Sequence, residues 1–228
     1  MSADKTETRP RFADFFGNTE LVIAILLGLV SIATAYASFE SALYDSQMAG
    51  KYTVGSKLST QAESLYLEGN QQFLQDTQVF NELSALKVEI DNGDAATAAL
   101  AQEKYDTLYF QGVSDDFGAA IDSAAAKTEA DPDFFYSPLD EEDYQASLFS
   151  SYADTDDKST KAIAQGDVFN GYSDRLTLNT VLLSISLFLL GIAALVRQRK
   201  VQYVLMGTGV VLAIVAFVLT LFVPFVGL

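Results

Sequence analysis

An all-α fold, with three membrane spans and an antiparallel helical bundle outside the bilayer that continues spans 1 and 2, follows from three observations. Two long uncharged stretches, 176–196 and 201–228, flank the basic tetrapeptide Arg197, Gln198, Arg199 and Lys200. A third apolar run covers 21–39. The polar segment between the first and second runs carries helical periodicity and no strand pattern of useful length. A helix needs ~20 apolar residues to cross the hydrocarbon core, and each run meets that length.

The resulting organisation is a cytoplasmic segment 1–20, span 21–39, an acidic extracytoplasmic domain 40–175, span 176–196, a cytoplasmic turn 197–200, and span 201–228. Short loops rich in Lys and Arg stay on the cytoplasmic side. Arg197, Arg199 and Lys200 in the turn, with Arg9 and Arg11 near the start, therefore act as topology determinants and put residues 40–175 outside. The basic start, apolar run and Ala-rich end of 21–39 also resemble a cleavable signal peptide. The run is long for a signal core, and Asp14 and Glu20 interrupt the basic flank, which favours an uncleaved span.

Taken in order, Phe12, Phe15 and Phe16 suit the headgroup layer, and Asn18 and Thr19 are helix N-cap types. Within the spans, Thr177, Thr180, Ser184 and Ser186 can return their hydroxyls to carbonyls one turn back. Asn179 sits near a span end, within reach of water, and Pro224 marks a stop near the chain end. Residues 41–90 read as one helix joined to the first span. Its apolar stripe is Tyr44, Met48, Tyr52, Leu58, Ala62, Leu65, Val79, Leu83, Leu86 and Ile90, with a kink expected between Gly50 and Gly55. Residues 91–94 form a turn, with Gly93 or Asn92 in the left-handed conformation and Asp94 starting the next helix. That helix covers 95–111, with Leu100, Tyr105, Leu108 and Tyr109 as core. Gly112 and Ser114 suggest a break and restart, and Phe117, Ile121 and Ala125 continue the stripe. Pro132 and Pro138 make 128–139 a loop, pinned by Phe134, Phe135 and Tyr136. Asp140 is the expected N-cap of a third helix, which buries Tyr144, Leu148 and Tyr152 and is broken or exposed near 154–157.

Composition excludes more than it proposes. The chain has no Cys and no His, so it has no disulfide, no thiolate nucleophile, and neither the commonest general base nor the commonest zinc ligand. With no Trp, the interfacial anchors are Tyr and Phe. The net charge of −16 is uneven: residues 40–175 hold 26 acids and eight cations. Such a domain repels nucleic acid and anionic headgroups. It reads first as a solvated helical surface and second as a cation-attracting one.

Asp131, Asp133 and Glu142 match positions 1, 3 and 12 of a calcium loop, but Phe135 and Tyr136 replace a ligand and the turn glycine. Asp154, Asp156 and Asp157 are a weaker cation candidate. Serine chemistry would need a pairing with Lys51 or Lys57. No phosphate-binding, dinucleotide or zinc motif is present, no cofactor is called for, and no charge lies inside a span, which argues against a proton-coupled carrier.

Ser38, Phe39, Glu40, Ser41, Ala42, Leu43 and Tyr44, followed by Gln47, Ala49 and Tyr52, leave the first span. With the one-span, external-domain, closing-hairpin layout, they make the chain resemble a group of uncharacterised bacterial and archaeal membrane proteins. The resemblance implies the fold above, assigns no activity, and marks Tyr44, Gln47 and Tyr52 as packing positions near the outer interface. The expected function is a non-enzymatic integral membrane scaffold or accessory subunit. Its partners are the lipid bilayer and other membrane proteins or copies of itself, not nucleic acid. A sensor-like receptor signalling through a partner and a cation-conducting homo-oligomer are the alternatives.

Overall fold

The computed structural model describes residues 19–226, so Arg9, Arg11, the early phenylalanines and the last two residues lie outside the described part. Among the described residues there are five α-helices, one short 3-10 turn and no strand. They are α1 (Thr19–Asn92), α2 (Ala95–Gly112), α3 (Asp115–Ala130), the 3-10 turn (Pro138–Asp140), α4 (Glu142–Leu195) and α5 (Arg199–Leu221). Three of them, α1, α4 and α5, contain stretches long and apolar enough to cross a membrane. Only 17, 28 and 17 % of those stretches is buried inside the protein. Large side chains such as Leu29, Ile32, Phe188, Leu195 and Val204 face outward, as expected where the solvent is lipid.

The chain divides into two compact units. The first combines residues 1–52 and 164–228. Its core is Val30 and Ala37 of α1, Leu183 and Leu190 of α4, and Ala213 and Ala216 of α5. Small residues bring α4 and α5 together: a Cβ on Gly209 would stand 3.1 Å from Leu190 Cγ, and Ser186 Oγ donates to Gly209 O at 2.7 Å. The hairpin turn is tighter than four residues. Only Val196, Arg197 and Gln198 are non-helical, and Arg199 and Lys200 occupy the first turn of α5. Helix α5 ends at Leu221, three residues short of Pro224, which disfavours helical angles at Val223.

The second unit, residues 53–163, packs the later part of α1 antiparallel to the early part of α4, with α2, α3 and the 3-10 turn beside them. Along α1, buried positions recur every seven residues: Gly55, Ala62, Gly69, Asp76 and Leu83. This is the 3.5-residue period of helices that wrap around one another. Helix α4 answers with Leu148 and Ala162 in one row and Tyr152 and Ser159 in another. At Gly55 the backbones are close enough for Ser159 Oγ to donate to Gly55 O at 2.7 Å. Phe117, Ala120 and Tyr144 centre the wider end of the core, with Phe73, Phe80, Leu139 and Leu148 against them.

Several expectations are corrected. Helix α1 is continuous through the stretch where a kink is expected, and Gly55 there packs closely against Ile163. Neither Asn92 nor Gly93 is left-handed. Gly93 is required because a Cβ there would lie 2.6 Å from Glu89 O, the carbonyl its own N–H bonds at 2.9 Å. Asp94 is the N-cap, with its carboxylate accepting from Thr97 N at 2.9 Å, and Ser114 caps α3 in the same way through Phe117 N. Ala101 replaces Leu100 as the buried α2 residue, and Ala120 and Ala124 replace Ala125 in α3. Phe134 and Phe135 are exposed, and the loop is held by buried Pro138 and by Tyr136 N–H donating to Thr128 Oγ1 at 3.2 Å. Asp140 lies in the 3-10 turn, so α4 begins two residues later at Glu142; it then runs through 154–157 without a break, with Asp154, Asp156 and Asp157 exposed. Thr180 and Ser184 do bond their own helix, whereas Thr177 and Ser186 reach across to a neighbour, and Asn179 is buried.

Two glycines of α1 therefore respond oppositely to the same change. A Cβ on Gly69 would meet Leu148 O at 2.7 Å, while one on Gly50 meets nothing within 4 Å. In thermal or denaturant unfolding of the full chain in mild detergent, Gly50→Ala gains ~1 kcal/mol from helix propensity. Gly69→Ala loses about 1–3 kcal/mol, because the overpacked carbonyl of the facing helix cannot retreat.

Candidate functional site

The acids singled out for calcium do not converge. Asp131 and Asp133 sit in the exposed turn after α3, and Glu142 is the exposed first residue of α4. Among the described residues no three acidic side chains form a group able to hold a metal ion. Arg197, Arg199 and Lys200 are near or beyond the end of α4, and Arg199 and Lys200 open α5. Cations at a helix start oppose its dipole, so helix stability does not explain them.

Three clusters elsewhere bring polar groups together. In the second unit Asp76 is fully buried on the seven-residue row of α1. Tyr144 of α4 donates to Asp76 Oδ2 at 2.7 Å, and Gln72 Nε2 donates to Oδ1 at 2.9 Å. Burial, then the bond to Asp76, pushes the Tyr144 hydroxyl far above its ordinary value of 10.0. The hydroxyl is thereby kept protonated, as a donor to Asp76. The Phe117 ring stands 5.1 Å from that of Tyr144 and closes the site to water. A carboxylate with no cation beside it is tolerated there because both oxygens have a donor.

The second cluster joins α3 to the segment before α4. Lys127 Nζ reaches both oxygens of Glu141 at 2.8 and 2.7 Å, and Ser123 Oγ donates to Oε2 at 2.9 Å. These bonds hold the Glu141 carboxyl below the ordinary 4.5, Lys127 first and Ser123 second, and Glu141 raises Lys127 above 10.5. The residues line a cavity of about 570 Å³ with Tyr136, Asp140 and the exposed Phe134 and Phe135. Ser123 is bound to a carboxylate already neutralised by lysine, so nothing in the arrangement activates it as a nucleophile.

The third cluster lies in the first unit, just beyond the apolar run of α1. Ser41 Oγ bonds Ser173 Oγ at 2.9 Å and Thr177 Oγ1 at 3.0 Å. Tyr44 OH donates to Pro224 O at 2.6 Å, and its ring packs 5.1 Å from that of Tyr172. Glu40 is 3 % exposed; its Oε2 accepts from Val226 N at 3.3 Å, and its Oε1 has no hydrogen-bond partner. This cluster fastens the segment after α5 to α1. Nearby, Tyr52 OH donates to Asp167 Oδ1 at 2.7 Å across Gly166, whose missing Cβ makes room for the Tyr52 ring. Tyr44 and Tyr52 thus both pack against α4. Glu40 and Asp76 carry no motif that sequence reading detects, and the available signal was their spacing. Glu40 lies one turn from both Tyr36 and Tyr44, and Asp76 lies seven residues from Gly69 and Leu83.

Removing the Tyr144 hydroxyl leaves a fully buried carboxylate oxygen without its donor. Tyr144→Phe should cost about 1–3 kcal/mol in equilibrium unfolding, and Tyr144→Phe with Asp76→Leu should cost less than the sum of the two single changes. Glu141 contributes stability that is present above its unfolded value of 4.5 and lost as pH falls through its lowered folded value. Lys127 contributes stability present below 10.5 and lost as pH rises through its raised value. Glu141→Gln should therefore flatten the fall in Tm between about pH 5 and pH 3, and a fall as steep as in the unmodified chain would refute the assignment.

No family model, curated protein or solved structure matches this chain, and its classification rests on what the helices themselves show: a helical membrane protein with three apolar helices long enough to span.

Proposed function

We propose that the protein is a non-enzymatic integral membrane scaffold or accessory subunit, whose acidic helical domain, residues 40–175, stands on the extracytoplasmic side and binds other membrane proteins or further copies of the chain. One observation carries this reading. In the acidic unit both polar clusters are saturated by their own neighbours: Asp76 by Tyr144 and Gln72, Glu141 by Lys127 and Ser123. Polar chemistry is used to fasten helices, while large apolar side chains of the acidic unit, such as Leu74 and Phe110, remain on its surface. Sidedness is supported by Arg197, Arg199 and Lys200, which follow the rule that retains cationic turns in the cytoplasm.

The test is purification from native membranes in mild detergent, with mass determined by light scattering, alongside labelling of a cysteine placed at Asn92 in intact cells. The expected result is a complex heavier than one chain plus its detergent, and labelling by an impermeant thiol reagent before lysis. Lone monomers with no companion protein overturn the scaffold reading, and labelling only after lysis overturns the topology.

A further inference from the structure

The second unit carries 22 acids against six cations, so two copies repel each other across almost any pair of faces. One face of α1 is different. Leu67, Leu74 and Val88 are 59, 60 and 62 % exposed and are spaced in multiples of seven, with Asn81 in the vacant register. The adjoining row is Gln71, Gln78 and Ala85, also exposed and uncharged. Both rows lie on the side of the helix opposite the buried row of Ala62, Gly69, Asp76 and Leu83. Glu68, Glu82 and Glu89 stand on one flank of this face, and Glu63 and Asp91 close the other flank at its two ends. Between those ends the second flank is Asn70, Thr77 and Ser84, so a parallel face-to-face pairing sets Glu82 and Glu89 against neutral residues and leaves one like-charge approach, Glu63 with Glu68, at the edge of the face.

We infer that this face of α1, centred on Leu74 and Gln78, is where a second copy of the chain docks, the two α1 helices pairing through the same 3.5-residue period that α1 uses internally against α4. The inference rests on the scaffold reading and names its partner. The charge pattern selects the occupant. A basic protein would gain most from the acidic rows, whereas a copy of this chain meets least like-charge repulsion where its centre, from Asn70 to Ser84, opposes neutral residues to acids. Asn and Gln among the apolar residues make the seam weak for free domains. Chains confined to one bilayer meet at high effective concentration, which offsets that weakness.

The absence of cysteine makes the test direct. Single changes Leu74→Cys and Gln78→Cys, with Thr107→Cys and Phe110→Cys on α2 as comparison, are introduced into the full chain in native membranes and oxidised. Disulfide-linked dimers are expected at 74 and 78 and not at 107 or 110. Leu74→Glu, an exposed change checked by unaltered helical circular dichroism, should lower cross-linking through Gln78→Cys by roughly tenfold. A complex of dimer mass that links through 110 and not through 74 or 78 overturns this face and leaves the scaffold reading standing. Single chains bound to a different membrane protein do the same. Single chains with no companion overturn both.

Discussion

The close approach of α1 and α4 is the constraint on which the rest depends. It is made by residues with almost no side chain. Gly55 faces Ser159 and Ile163, and Gly69 faces the carbonyl of Leu148, so the two backbones stand near enough for a serine to bond the opposite main chain. Such an interface gains little from the transfer of bulky apolar groups out of water. It gains from dispersion between closely fitted surfaces and from directional bonds, which operate in lipid as well as in water. The first unit shows the same economy in Ser186 against Gly209 and in the Ser41, Ser173 and Thr177 hydroxyls.

With the larger side chains released from that seam, aromatic residues fill the places where elements diverge. Phe117, Tyr144 and Phe80 occupy the space that α3 and the 3-10 turn leave beside α1. Tyr66 packs against Phe149 and Tyr152 at 5.9 and 5.3 Å, and Tyr44 against Phe169 and Tyr172 at 6.0 and 5.1 Å. Two of these rings end in a hydroxyl with a defined acceptor, Tyr144 on Asp76 and Tyr44 on Pro224 O, and Tyr52 ends on Asp167 in the same way. Ring packing and polar satisfaction are thus carried by the same residues.

The helices were legible in the sequence because their signals are local. Uncharged runs mark spans, Asp94 and Ser114 mark helix starts, and every member of the α1 stripe from Tyr44 to Ile90 turns inward. The seam itself was hidden, because apolar periodicity gives no weight to Gly55 and Gly69 and counts Asp76 against burial. The same weighting favoured Leu100 over Ala101, although only the smaller residue fits the buried position. The loop before α4 was misread because its anchors are backbone atoms, Tyr136 N–H and Leu139 O, the latter accepting from Gln145 Nε2 at 2.6 Å. No side-chain pattern reports those bonds. The calcium candidates met a spacing rule without the tight turn that would bend Asp131 and Asp133 toward Glu142.

A row of glycine, alanine and glycine has a degeneracy that bulky cores lack: displaced by one repeat, it presents nearly the same surface. Asp76 removes that freedom. A slide of seven residues carries its carboxylate away from the one phenol placed to receive it and leaves an anion stranded among hydrocarbon. The acid is therefore an index mark, a single position that tells two otherwise repetitive rods where along their length to stop.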